Sequence, residues 1–140
     1  MKLLVVALSF FVGNAFACSC AEWGTAREML SGARTAFVGT VTSSRLGELS
    51  SDSGERLTIT NFRIVRSFKP RGLRKATTRS EVGDGGNCGT QFRVGQSYLV
   101  FGYSYEGKVY TDDCSLQPIT GERTQNDFLR SLELTSRSSF

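Results

Sequence analysis

The chain has 140 residues, 39% hydrophobic and 21% charged, which is ordinary for a soluble globular chain and supports a single domain. Seventeen Lys and Arg against thirteen Asp and Glu give a net charge of +4, too mild an excess to support nucleic-acid binding. Histidine is absent, which excludes a His-based triad, an imidazole general base and a His-containing zinc site, so no enzymatic activity is expected.

At the start, Lys2, an apolar run over residues 3–12 and the small-residue end Ala15, Phe16, Ala17 read as a secretory signal peptide spanning 1–17. The run is shorter than the roughly 18 residues a membrane span needs, and no later run approaches that length. The expectation is therefore an exported, secreted or periplasmic protein of residues 18–140, beginning at Cys18 and without a membrane span. Removing 17 residues and one lysine leaves a charge of +3.

Export gives the four cysteines, Cys18, Cys20, Cys88 and Cys114, a structural meaning, because an oxidising compartment turns an even count into a disulfide framework. A Cys18–Cys20 bridge is disfavoured, since one intervening residue does not easily provide disulfide geometry. Two cross-pairings remain, and either would tie the start of the exported chain to two distant places.

Next along the chain, Thr25-Ala-Arg-Glu28 has the form of a capping box and opens a short helix through about Ala33, with Met29 and Leu30 apolar. The period then changes to two. Residues 36–42 read as a first strand, residues 47–55 as a polar loop, and residues 57–68 as a long second strand. In that second strand the alternation slips near Thr60 and Asn61, which predicts a β-bulge there. Residues 75–82 form a weaker third strand, and residues 98–103 and 108–111 flank a turn at 104–107 as a hairpin. A second short helix is expected over residues 125–134, where Phe128, Leu129 and Leu132 share a side. Five strands with one helix before and one after predict a mainly β, five-stranded Greek-key barrel of the OB type, stapled by disulfides. Trp23, Phe37, Phe62, Phe68, Phe92, Tyr98 and Phe101 are expected in its core, and the basic run 69–75 in a solvated loop.

The order of motifs resembles the tissue inhibitors of metalloproteinases, specifically their N-terminal netrin-like domain. The resemblance covers essentially the whole of 18–140. It rests on Cys18-Ser19-Cys20 placed directly after a cleavage sequence, a helix leading into Ala-Phe-Val-Gly-Thr at 36–40, Cys88-Gly89, and Cys114 after a Tyr-Thr strand ending. The resemblance implies bridges Cys18–Cys88 and Cys20–Cys114 and a partner, a zinc metalloprotease. In that family the amine and carbonyl of the first cysteine chelate the protease's zinc, and the next side chain enters the adjoining specificity pocket. Carried over, Cys18 is the chelating residue, Ser19 the pocket residue, and Cys20, Ala21, Cys88 and Gly89 the flanking contacts. The protein would act as a monomer and hold no cofactor of its own, the zinc being the target's.

The chemistry is sound in itself. A catalytic zinc keeps one position open or water-filled, and an α-amine with a pKa of about 7.7–8.0 is partly neutral at physiological pH. With the carbonyl of its own residue it closes a five-membered chelate, and a disulfide on that residue removes much of the entropy cost of fixing a terminus. Four cysteines cannot form the family's third disulfide, and Ala21 and Glu22 stand where a proline commonly follows the Cys-x-Cys. Residues 83–87, Gly-Asp-Gly-Gly-Asn, give the loop before Cys88 few side chains. The alternative is a netrin-like extracellular binding module without protease inhibition. A lipoprotein would consume the Cys18 thiol and leave three cysteines, and a thiol oxidoreductase would need a Cys-x-x-Cys that the chain lacks.

Overall fold

A computed structural model describes residues 18–83 and 88–139; the expected signal segment 1–17 and positions 84–87 of the glycine-rich loop lie outside the described residues. Thr25 caps helix α1 (Ala26–Gly32): its hydroxyl accepts from the Glu28 N–H at 3.3 Å, and the Glu28 carboxylate accepts from the Thr25 N–H at 2.7 Å. That backbone bond, with a second from the Thr25 hydroxyl, holds the Glu28 carboxyl below its ordinary value.

Six strands follow: β1 (Thr35–Leu49), β2 (Arg56–Lys69), β3 (Lys75–Glu81), β4 (Ser97–Tyr105), β5 (Lys108–Tyr110) and β6 (Leu116–Pro118), before helix α2 (Arg123–Ser138). Antiparallel β1–β2, β2–β3, β4–β5 and β1–β4 pairings and a parallel β3–β5 contact ring five strands into the OB-type order β1-β2-β3-β5-β4, returning to β1. The mainly β fold expected from the sequence is the fold observed.

The run 36–41 is covered on both faces, which is why alternation there is weak. Ala36 and Val38 join Leu99 and Phe101 beneath the helices, where Leu30, Leu129 and Leu132 complete a cluster. Phe37 and Val41 face the barrel interior with Phe62, Tyr98, Val100 and Leu116. Edge-to-face contacts at 5.1–5.3 Å chain Phe37, Phe62, Phe92 and Tyr98 together. Gly39 leaves room beside them, since a Cβ would stand 3.0 Å from the Phe37 ring and the ring would have to give way.

Three expectations are corrected. The slip at Thr60 and Asn61 is not a bulge of β2, whose register with β3 runs unbroken from Leu57↔Glu81 to Arg63↔Lys75: against β1 the extra residue there is Thr42, while β2's own extra residues, Val65 and Phe68, lie further on. Over 57–62 both phases of β2 are buried: Phe62 faces the barrel cluster, while Ile59, on the opposite phase, packs against β1 at Gly47, where a Cβ would lie 2.5 Å from Ile59 Cδ1. The hairpin turn is the two-residue Glu106-Gly107, both at positive φ, so β4 reaches Tyr105. Helix α2 is longer than 125–134, because Gln125 and Asn126 fold back onto the 118–121 segment and Arg137 pairs with Glu133 one turn earlier.

The β3–β5 seam has a single register pair, Arg79↔Tyr110, and is spanned by a charge bridge. Glu48 Oε1 lies 2.8 Å from Arg79 Nε and 3.2 Å from Lys108 Nζ, joining both sides. Chiefly through the Arg79 hydrogen bond, the Glu48 carboxyl is pulled down from 4.5 to about 2. A lowered carboxylate pKa stabilises above the unfolded value and loses that contribution as pH falls through the folded one. The protection factor of the Thr111 amide, whose N–H donates to the Arg79 carbonyl at 2.9 Å, is therefore expected to fall between pH 4.5 and 2, once the intrinsic pH dependence of exchange is divided out. In Glu48→Gln the protection should be low throughout, with global melting little changed because Glu48 is exposed. Equal exchange in both proteins at pH 6 would contradict this.

Candidate functional site

Residues 18–21 carry no regular secondary structure, yet they are fixed at two points. Cys18 is bridged to Cys88 and Cys20 to Cys114, each with a Cα–Cα distance of 5.2 Å, across 70 and 94 residues of sequence. The bridges lie against each other, with Cys18 Sγ 3.7 Å from Cys114 Sγ. Their far ends are joined as well, since the Asp113 N–H donates to the Cys88 carbonyl at 3.0 Å. Asp112 organises that corner, its Oδ1 accepting from the Cys114 N–H at 3.0 Å and the Ser115 hydroxyl at 2.7 Å. From the other side the Trp23 Nε1–H donates to the Cys114 carbonyl at 2.8 Å, while its ring packs edge-on to Phe101 at 5.1 Å. The segment is thus tied to β4, the 113–115 turn and the helix-side core.

Within this frame Cys18 is half-buried, whereas Ser19, Cys20, Ala21 and Cys88 are exposed and form one surface ridge with the half-buried Gly89. All six positions expected from the sequence come together there. The sulfurs of Cys18, Cys20 and Cys114 lie within 4.8 Å of one another. All four cysteines are oxidised, so they offer no thiolate to a metal, and the donors left on the ridge are backbone groups and the Ser19 hydroxyl.

Gly89 has a steric role that the sequence pattern did not reveal. A Cβ there would stand 2.5–2.7 Å from the backbone of residues 81–83, and the Thr90 N–H donates to the Glu81 carbonyl at 3.0 Å. Gly89→Ala must push backbone apart next to Cys88, and should cost about 1–3 kcal/mol of stability, read as a fall of several degrees in Tm. An unchanged Tm would show that the corner yields freely.

A second feature beside the ridge also went unrecognised. Cys88, Asp112, Ser80 and three tyrosines line a cavity of about 280 Å³. Tyr103 and Tyr110 face each other across the hairpin with ring centroids 6.0 Å apart, and the Tyr105 hydroxyl donates to Asp52 at 3.0 Å. Partial burial, then the charges of Asp112 and Glu81, raise the Tyr103 phenol above its ordinary value of 10. The Tyr-x-Tyr spacing at 103 and 105, opposite Tyr110, was the available signal. Among the described residues, no helix is long and apolar enough to cross a membrane. No protein-family model matches the chain, and no curated protein matches it significantly.

Proposed function

We propose that the chain is a secreted, non-enzymatic inhibitor of zinc metalloproteases, of the kind the tissue inhibitors represent. The observation that supports this reading is the doubly tethered Cys18-Ser19-Cys20-Ala21 segment, half-buried at Cys18 and exposed from Ser19 to Ala21, bridged to Cys88. Cleavage after Ala17 would leave an amine, a carbonyl and a disulfide on one residue. That residue would replace the zinc-bound water of the target by a five-membered chelate through nitrogen and oxygen. Ser19, one residue on and exposed, would direct its hydroxyl into the pocket beside the metal. Because the bridges restrain the segment before the encounter, little conformational entropy is lost on binding. Two disulfides fit an oxidising, extracellular or periplasmic compartment.

The test is inhibition of a panel of zinc metalloproteases by protein whose intact mass shows an unmodified Cys18 amine. Inhibition of at least one, competitive with an active-site hydroxamate, is the expected result. Correctly cleaved, disulfide-intact protein that inhibits none would leave the netrin-like binding module as the reading.

A further inference from the structure

A cavity of about 560 Å³ lies on the barrel wall and shares no lining residue with the Cys18–Cys88 ridge. It opens where the seam fails: β3 and β5 pair only at Arg79↔Tyr110, and Lys75, Ala76 and Thr77 of β3 line it with Val109 of β5. Its apolar lining reaches both cores, since Phe68 belongs to the cluster beneath the helices while Leu73 and Ala76 pack on the barrel cluster. Around this lining stand four cations, Arg34, Lys69, Arg71 and Lys75, and no carboxylate. Lys69 is oriented by α1, its Nζ donating to the Leu30 carbonyl at 2.8 Å. Arg34, Arg71 and Lys75 are exposed and, among the described residues, enter no ion pair.

An apolar cavity of this size suits a small organic ligand, and cations of one sign around it select the charge of that ligand. We propose that this cavity binds an amphipathic monoanion, an alkyl chain with a carboxylate head of the fatty-acid type, with the chain against Leu73, Ala76 and Val109 and the head among Arg34, Arg71 and Lys75. A polyanion would use the charges and leave the apolar space unfilled; a neutral hydrocarbon would leave the cations unused. The basic run 69–75 thus gains a specific role, because Arg34, far away in sequence, is brought to the same rim.

The experiment is calorimetric titration of the disulfide-intact protein with dodecanoate below its micellar concentration. Acetate, dodecanol and dodecyltrimethylammonium serve as comparison ligands. Dodecanoate should bind at least tenfold more tightly than each of the three. Arg34→Gln/Arg71→Gln/Lys75→Gln should weaken dodecanoate at least tenfold while leaving the melting temperature and near-ultraviolet dichroism in place, since these side chains are exposed. Leu73→Trp, which fills apolar space, should weaken dodecanoate and dodecanol alike. Equal binding of dodecanol and dodecanoate, or unchanged dodecanoate affinity in the triple variant, overturns the proposal. So does binding of the parent protein to anionic phosphatidylglycerol vesicles, lost in the triple variant, without binding of free dodecanoate; the basic rim would then be a membrane-surface contact. None of these readouts involves protease inhibition, so the two readings stand or fall separately.

Discussion

Reduction of the two disulfides should unfold the protein, while a metal chelator should leave it folded. The bridges close loops of 70 and 94 residues, and in the chain-entropy model each contributes on the order of 4 kcal/mol. A domain of this size has a total stability of about 5–15 kcal/mol, so losing both removes most or all of it. Trp23, the sole tryptophan, reports the event directly, because its indole N–H is held by the Cys114 carbonyl and its ring by Phe101. Its emission should shift to the red on reduction and stay unchanged with EDTA. The single-bridge variants separate the two ties. Cys20→Ser/Cys114→Ser should lower Tm by more than about 10 °C and move the Trp23 emission. Cys18→Ser/Cys88→Ser should lower Tm comparably with a smaller spectral change, since the carbonyl that holds the indole N–H is that of Cys114. Unfolding by EDTA alone would mean that a metal stabilises this fold and that the bridges do not suffice.

Much of this frame was legible before any coordinates. The capping box at Thr25, the strands over 57–68 and 98–103, and the aromatic residues of the core are local or periodic signals, and the structure has the helix, the strands and the aromatic core where these signals put them. What escaped depends on partners distant in sequence. Residues 43–49 extend β1, yet they read as non-strand because most are exposed and the segment gains its order from pairing with β2. The slip at Thr60 and Asn61 marked a real irregularity but not its owner. The extra residue there belongs to β1, as Thr42, and β2's own extra residues, Val65 and Phe68, lie further along the strand. At the candidate site, the cysteine pattern placed the six ridge residues together because disulfides are long-range constraints written into sequence. The tyrosine-lined cavity and the four-cation rim had only partial markers, the Tyr-x-Tyr spacing at 103 and 105 and the basic run 69–75, and neither shows that Tyr110 or Arg34 joins from elsewhere in the chain.

The largest functional effect is expected at the backbone of Cys18. If its amine and carbonyl occupy the zinc of the target, acetylating the amine removes the nitrogen lone pair, and adding one residue before Cys18 displaces the chelate. Neither change touches a sulfur or the Trp23 anchor, so melting temperature and disulfide mapping should match the parent protein. Inhibition should fall by about 30- to 1000-fold, the range in which a central binding residue worth about 2–4 kcal/mol lies. Ser19→Gly is the contrasting change: it removes one pocket contact, leaves both chelating atoms, and should alter affinity by less than about tenfold, to a degree that differs between proteases. The separation between these two variants identifies the mechanism. A purely steric plug would suffer more from losing the Ser19 side chain than from a single acetyl group, whereas a chelate would suffer in the opposite order. Equal inhibition by the acetylated, the extended and the parent proteins would remove the zinc from the mechanism and leave the ridge as an ordinary protein-binding surface.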